Sequence, residues 1–186
     1  MKRRVLFIQG GGQGAHDEWD SKLVESLSRA LGPNYEILYP NMPDEIDPRY
    51  ARWAAALKNE FGKLRDGAVL AGHSIGATIL INALADEAPA FRPSGVFLIA
   101  APFVGDEGWP SDDIGDMSDL GRRLSPDFDV HLYHGDRDDT APVSHLDLYS
   151  KAIPRAVAHR LHDRDHQLND DLSEVAADIL TSARGR

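Results

Sequence analysis

The sequence contains no cysteine, which excludes disulfide frameworks, thiolate metal sites and cysteine nucleophiles together. Long hydrophobic runs are missing as well. The start, "MKRRVLFIQGGG", has a basic head, but its apolar core, Val5 to Ile8, falls far short of the roughly 7 to 15 residues of a secretory signal. No stretch approaches the roughly 20 apolar residues of a membrane span. Positive charge is scarce, with 20 Lys and Arg against 30 Asp and Glu and a formal net charge of -10. Such a chain repels phosphate backbones and anionic lipid surfaces at long range. These absences predict a cytoplasmic protein that binds neither nucleic acid nor membrane, and they leave its oligomeric state open.

At 186 residues the chain suits a single domain that buries roughly two thirds of the surface its unfolded form exposes. Short runs rich in Val, Ile, Leu, Phe and Tyr recur at 4–9, 35–39, 68–72, 95–100, 129–134 and 156–162. Segments of helical periodicity separate them, and that alternation predicts an α/β fold with about six mostly parallel strands and helices on both faces. The first helix is expected over 19–31, with Leu23, Leu27 and Ala30 on one side and Gly32 and Pro33 as its stop. Pro48 opens the next, with Trp53, Ala56, Leu57 and Phe61 on one face. The apolar run 75–85 predicts a buried helix; 143–153 and 172–182 complete the set, the last capped by Asp170 or Asp171. Residues 101–126, rich in Gly, Pro and Asp, form a connection long enough to be functional or disordered. The terminal "SARGR" reads as a frayed tail.

Two glycine-bearing stretches carry chemistry. In "QGGGQGAHDEW", Gly10, Gly12 and Ala15 have the GxGxxA spacing of a dinucleotide-phosphate turn. The same backbone could instead face a developing negative charge on a substrate oxygen. In "LAGHSIGATIL", Gly72, Ser74 and Gly76 match GxSxG between a strand and a buried helix, the context of a nucleophile elbow. Glycines are needed there because side chains would strike neighbouring backbone. Ser74 would then stand exposed at the carboxyl edge of the sheet, at a helix N-terminus that favours developing negative charge.

A serine hydroxyl needs a base, and the base needs an acid to fix its tautomer. Both follow in the order this fold requires: "HGDRDDTAP" offers Asp136, Asp138 and Asp139, and "HDRDHQLNDD" offers His162 and His166. Asp138 has the extra loop length to curl back over the sheet edge, with Asp136 as its rival. Asp139 suits the turn before Pro142. His166 lies in a polar loop free to reach inward, whereas His159 and His162 belong to a strand, where side chains enter packed faces. A metal cluster of His159, His162 and His166 with Asp136 and Asp163 would need helical spacing, so no metal is expected. His73, His131, His134 and His145 read as structural or surface residues.

With these residues in place the chain resembles the α/β-hydrolase superfamily. More narrowly, it is similar to the small serine hydrolases grouped with retinoblastoma-binding protein nine and the YdeN-type proteins. The likeness runs through "QGGGQGAHDEW", "YPNMPD", "GHSIGA", "HGDRDDTAP" and "DHQLNDDL". It implies a minimal single-domain fold without a large cap, and a triad of Ser74, Asp138 and His166 that needs no cofactor. The expected reaction is hydrolysis of a small carboxylic ester, ahead of a thioester or amide. The backbone N–H of Ile75 and one from Gly11 would form the oxyanion hole, with Gly12 as the alternative to Gly11. Trp109, Phe103 and His16 are the expected substrate contacts, and Trp19 and Met42 are weaker candidates with equally good packing roles. Two rivals stand beside this reading. A dinucleotide binder would need an acidic residue at the end of the second strand, where "YEILYPNMP" has only Glu36 at its start. A catalytically idle interaction module on a hydrolase scaffold is the other.

Overall fold

In the computed structural model of the protein, which describes residues 2–182, six strands form one sheet in which every pairing is parallel. They are β1 (Arg3–Ile8), β2 (Tyr35–Leu38), β3 (Val69–His73), β4 (Gly95–Ile99), β5 (Val130–Gly135) and β6 (Val157–Leu161), in the spatial order β2-β1-β3-β4-β5-β6. Parallel neighbours require crossovers, and helices supply them: α1 (Ser21–Leu31), α2 (Tyr50–Phe61), α3 (Ser74–Asp86), the short α4 (Leu120–Arg123), α5 (Ser144–Ala152) and α6 (Ser173–Ser182).

The central strands are covered on both faces, and their apolar residues divide by the period of two. Val5, Phe7, Val69, Ala71, Phe97, Ile99 and Tyr133 pack under α1 and α6, against Leu23, Leu27, Leu31, Val175 and Ile179. Leu6, Ile8, Leu70, Val96, Leu98, Val130 and Leu132 face the other way, toward Trp53 and Leu57 of α2, α3, and Tyr149 of α5. Each fully buried large side chain contributes about 1.5–3 kcal/mol through removal from water.

Strand order reverses between β1 and β3. The chain leaves β1 toward α1 on one face and leaves β3 toward α3 on the other, which opens a crevice at their carboxyl ends. The glycine loop and the GHSIG turn both end there.

Several expectations change. Residues 15–20 form a π-helical turn ahead of α1, so Trp19 is 50% exposed and Leu31, not Ala30, completes the buried stripe. Pro48 precedes α2 by two residues. Residues 101–126 pack on the core through Val104, Ile114, Met117, Leu120 and Leu124. Asp171 supplies the acceptor for the Ser173 N–H at the start of α6. Ser182 ends that helix, and the rest of the expected tail lies outside the described residues. Among the described residues no helix is long and apolar enough to cross a membrane.

Candidate active site

Ser74 sits where β3 becomes α3, with φ 51°, in the left-handed region. For a non-glycine residue that conformation costs on the order of 1–2 kcal/mol and is held by its surroundings. The flanking glycines show how. A Cβ on Gly72 would lie 2.8 Å from the Ala77 Cα, and one on Gly76 would lie 1.9 Å from the Gln9 carbonyl oxygen. Ser74 is not exposed as expected: only 8% of its surface meets solvent, because it lies on the floor of a cleft of about 330 Å³.

His166 reaches that floor from the loop after β6. Its Nε2 lies 3.0 Å from Ser74 Oγ, and its Nδ1 lies 2.7 Å from Asp138 Oδ2. Asp138 Oδ1 accepts the N–H groups of Thr140 and Ala141 at 2.9 and 2.8 Å, so Asp138 itself caps the turn assigned above to Asp139. Buried His134 also faces this carboxylate, with Nε2 3.1 Å from Oδ2. Burial opposes ionisation of Asp138, but hydrogen bonds from His134, His166 and Ala141 hold it well below the usual carboxylate range.

The other candidates lie elsewhere. Asp136 accepts from His162 Nδ1 and the Asp163 N–H, both at 2.8 Å. His162 follows the end of β6 and points into solvent rather than into a packed face. His159 stacks on Tyr133 with ring centroids 4.5 Å apart. The three histidines of the metal reading therefore occupy separate places.

The loop that holds His166 is tightly tied. Asp165 and Asn169 exchange bonds, Asn169 N–H to Asp165 Oδ1 at 2.8 Å and Asp165 N–H to Asn169 Oδ1 at 3.2 Å. Leu168, Asn169 and Asp170 all have positive φ, and Leu168 is completely buried.

Most donors of the glycine loop are already engaged. Gly10 N–H bonds Asp20 Oδ2 at 2.6 Å, Gly12 N–H bonds the Glu45 carbonyl at 2.6 Å, and Gly14 N–H bonds Glu45 Oε1 at 2.8 Å. Glu45 Oε2 also accepts from the His16 N–H and from Gln9 Nε2. The Asp20 and Glu45 carboxylates and the Glu45 main-chain carbonyl thus take donors that a phosphate would need, which argues against the dinucleotide reading of the spacing. Gly11 N–H meets no acceptor among the described residues. A Cβ on Gly11 would lie 2.9 Å from Ile75 Cγ2, so the two residues abut. The Ile75 N–H lies in the first turn of α3, where no intrahelical carbonyl is available to it.

Trp109 lines the cleft with Trp19, Ile46, Pro48 and Ile75, while Thr140 and Gln167 add polar groups. Among the described residues no Lys or Arg lines it. Phe103 does not reach it. It is 4% exposed, packs edge-on against Tyr149 at 5.2 Å, and belongs to the core. His16 is also outside the lining: its ring stacks on Tyr39 at 4.1 Å, because its backbone is drawn to Glu45. Met42 is buried at 2%. The sequence reading missed Asp20, His73, Glu45 and His134, whose partners come together only in the fold.

The chain therefore has a serine hydrolase-type α/β fold with a Ser–His–Asp hydrogen-bonded chain at its topological switch point. Residues 5–184 match the Alpha/beta hydrolase family, and the protein belongs to that family. Among solved structures it is similar to the ydeN gene product of B. subtilis, at 21% identity and a TM-score of 0.75 with all of both chains covered. A putative YdeN-like hydrolase of Pectobacterium atrosepticum is 16% identical with a TM-score of 0.66, over 95% of this chain and 92% of that one. A serine hydrolase without a lid from Xanthomonas campestris is 17% identical with a TM-score of 0.64, over 97% and 80%. At these identities the likeness establishes the fold. No curated protein matches the sequence.

Proposed function

We propose that the protein is a serine hydrolase that cleaves a small carboxylic ester through an acyl-enzyme on Ser74. The observation that carries this reading is the unbroken chain from Ser74 Oγ to His166 Nε2 at 3.0 Å and from His166 Nδ1 to Asp138 at 2.7 Å. Ser74 Oγ attacks the acyl carbon as His166 Nε2 takes its proton; Asp138 fixes the tautomer and stabilises the imidazolium. The N–H groups of Ile75 and Gly11 bind the oxyanion. His166 then gives the proton to the departing alkoxide. Water, deprotonated by the same nitrogen, attacks the acyl carbon and releases the carboxylic acid and Ser74. Trp19, Trp109 and Ile46 provide apolar contact for a neutral substrate.

Ser74→Ala is expected to lower hydrolysis of a p-nitrophenyl ester on the order of 10⁶-fold and to abolish labelling by a fluorophosphonate. Labelling that persists in the variant, or a wild-type protein that neither labels nor hydrolyses any ester of a chain-length series, overturns the proposal.

A further inference from the structure

Beside the Ser74 chain lies a second histidine–aspartate pair that the proposed mechanism does not use. His73 immediately precedes Ser74, and both His73 and Asp20 are 1% exposed. His73 Nδ1 lies 2.9 and 3.0 Å from the two oxygens of Asp20. On the other side of the ring, Nε2 lies 3.0 Å from the main-chain oxygen of His166. A carbonyl oxygen can only accept, so Nε2 carries a proton; the facing carboxylate asks the same of Nδ1. Burial opposes charge on both groups. The Asp20 carboxylate nevertheless holds His73 above the usual imidazole value, and His73 with the Gly10 N–H holds Asp20 below the usual carboxylate range.

We infer that Asp20 and His73 form a positioning unit that fixes three parts of the site against one another. The glycine loop is tied through the Gly10 N–H to Asp20 at 2.6 Å. The elbow is tied because His73 is its last strand residue, and the base is tied through the His166 carbonyl. His166 is thereby held at three points: main chain by His73, Nδ1 by Asp138 and Nε2 by Ser74. A buried ion pair does little for stability by itself, since the desolvation of two charges cancels much of their attraction. What it supplies here is register among loops from three different strands, and misplacement of about 1 Å in such a site costs on the order of 10²-fold in rate. The inference rests on the hydrolase reading above.

The test uses the full chain with Asp20→Asn and His73→Gln. Steady-state kinetics on p-nitrophenyl butyrate, fluorophosphonate labelling rates and thermal midpoints are measured for each. The Nδ1–H resonance of His166 is followed by NMR in histidine-labelled protein and assigned by its loss in Asp138→Asn. Both variants are expected to lower kcat roughly 10- to 100-fold with KM nearly unchanged, to slow labelling, and to move the His166 resonance. Should His73→Gln fail to fold, Asp20→Asn keeps the side-chain shape and the Gly10 acceptor and carries the test. A lowered midpoint with wild-type kcat and an unmoved resonance means a structural role only and overturns the inference. If wild-type protein hydrolyses and labels with nothing, the hydrolase reading alone fails; the resonance then decides, its movement supporting the positioning unit and its constancy overturning it.

Discussion

Asp136 and Asp138 carry the same carboxylate two residues apart, and their surroundings give them different roles. The Asp138 side chain is fully buried between His166, His134 and two backbone donors. That of Asp136 is 29% exposed and faces an imidazole that stands in solvent. Asp138→Asn is expected to reduce ester hydrolysis about 10⁴-fold, since the amide favours the wrong tautomer of the base, whereas Asp136→Asn should stay within about twofold because it loses only an exposed contact. The reverse ranking in a p-nitrophenyl ester assay would assign the acid to Asp136. Ser74, Asp138 and His166 were legible in the sequence because chain order and loop length are properties of the chain itself. His73 and His134 were visible only as histidines. What gives them meaning is an acceptor brought close by folding, and Asp20 lies 53 residues from His73. Phe103 was misread for the same reason, since an aromatic in a loop carries no sign of whether it faces a cleft or Tyr149.

At the scale of the element, the strands were legible as short apolar runs, as buried parallel strands should be, and α3 through its nearly continuous apolar run. The body of the first helix, with Leu23, Leu27 and its stop at Gly32, was legible too, but its start was not, because a π-helical turn breaks the 3.6-residue pattern and rotates Trp19 outward. The apolar residues of 101–126 were hidden by the Gly, Pro and Asp between them. The β3–α3 elbow has the least tolerance of any connection at the site. Gly76→Ala would place a methyl group 1.9 Å from the Gln9 carbonyl oxygen, a backbone atom that cannot swing aside. The expected cost is about 3 kcal/mol, seen as a lower urea midpoint with an unchanged slope. A midpoint equal to wild type would show that the elbow relaxes without disturbing β1. The close packing of this turn against β1 and α3 is what holds Ser74 at φ 51°, against the strain of that conformation.

Across the whole molecule, three buried charges give stability an acid limb and an alkaline limb. Asp20 and Asp138 are held below the usual carboxylate range. Their contribution is present above that range and is lost as pH falls through the depressed values. His73 is held above the usual imidazole value. Its contribution is complete below the unfolded value of about 6.5 and is lost as pH rises through the raised one. The thermal midpoint of the wild type should therefore decline on the alkaline side. Asp20→Asn, which removes the partner of His73, should flatten that decline, and parallel profiles for the two proteins would refute the assignment. The cleft without Lys or Arg has a consequence of its own. Hydrolysis of a neutral ester creates an anion where none existed. That anion finds no Lys or Arg on the walls and is surrounded by a chain of net charge -10. On the ester-hydrolase reading proposed above, the field that is indifferent to the substrate on entry would drive the product out, and each turnover would end with electrostatic ejection of the acid it has made.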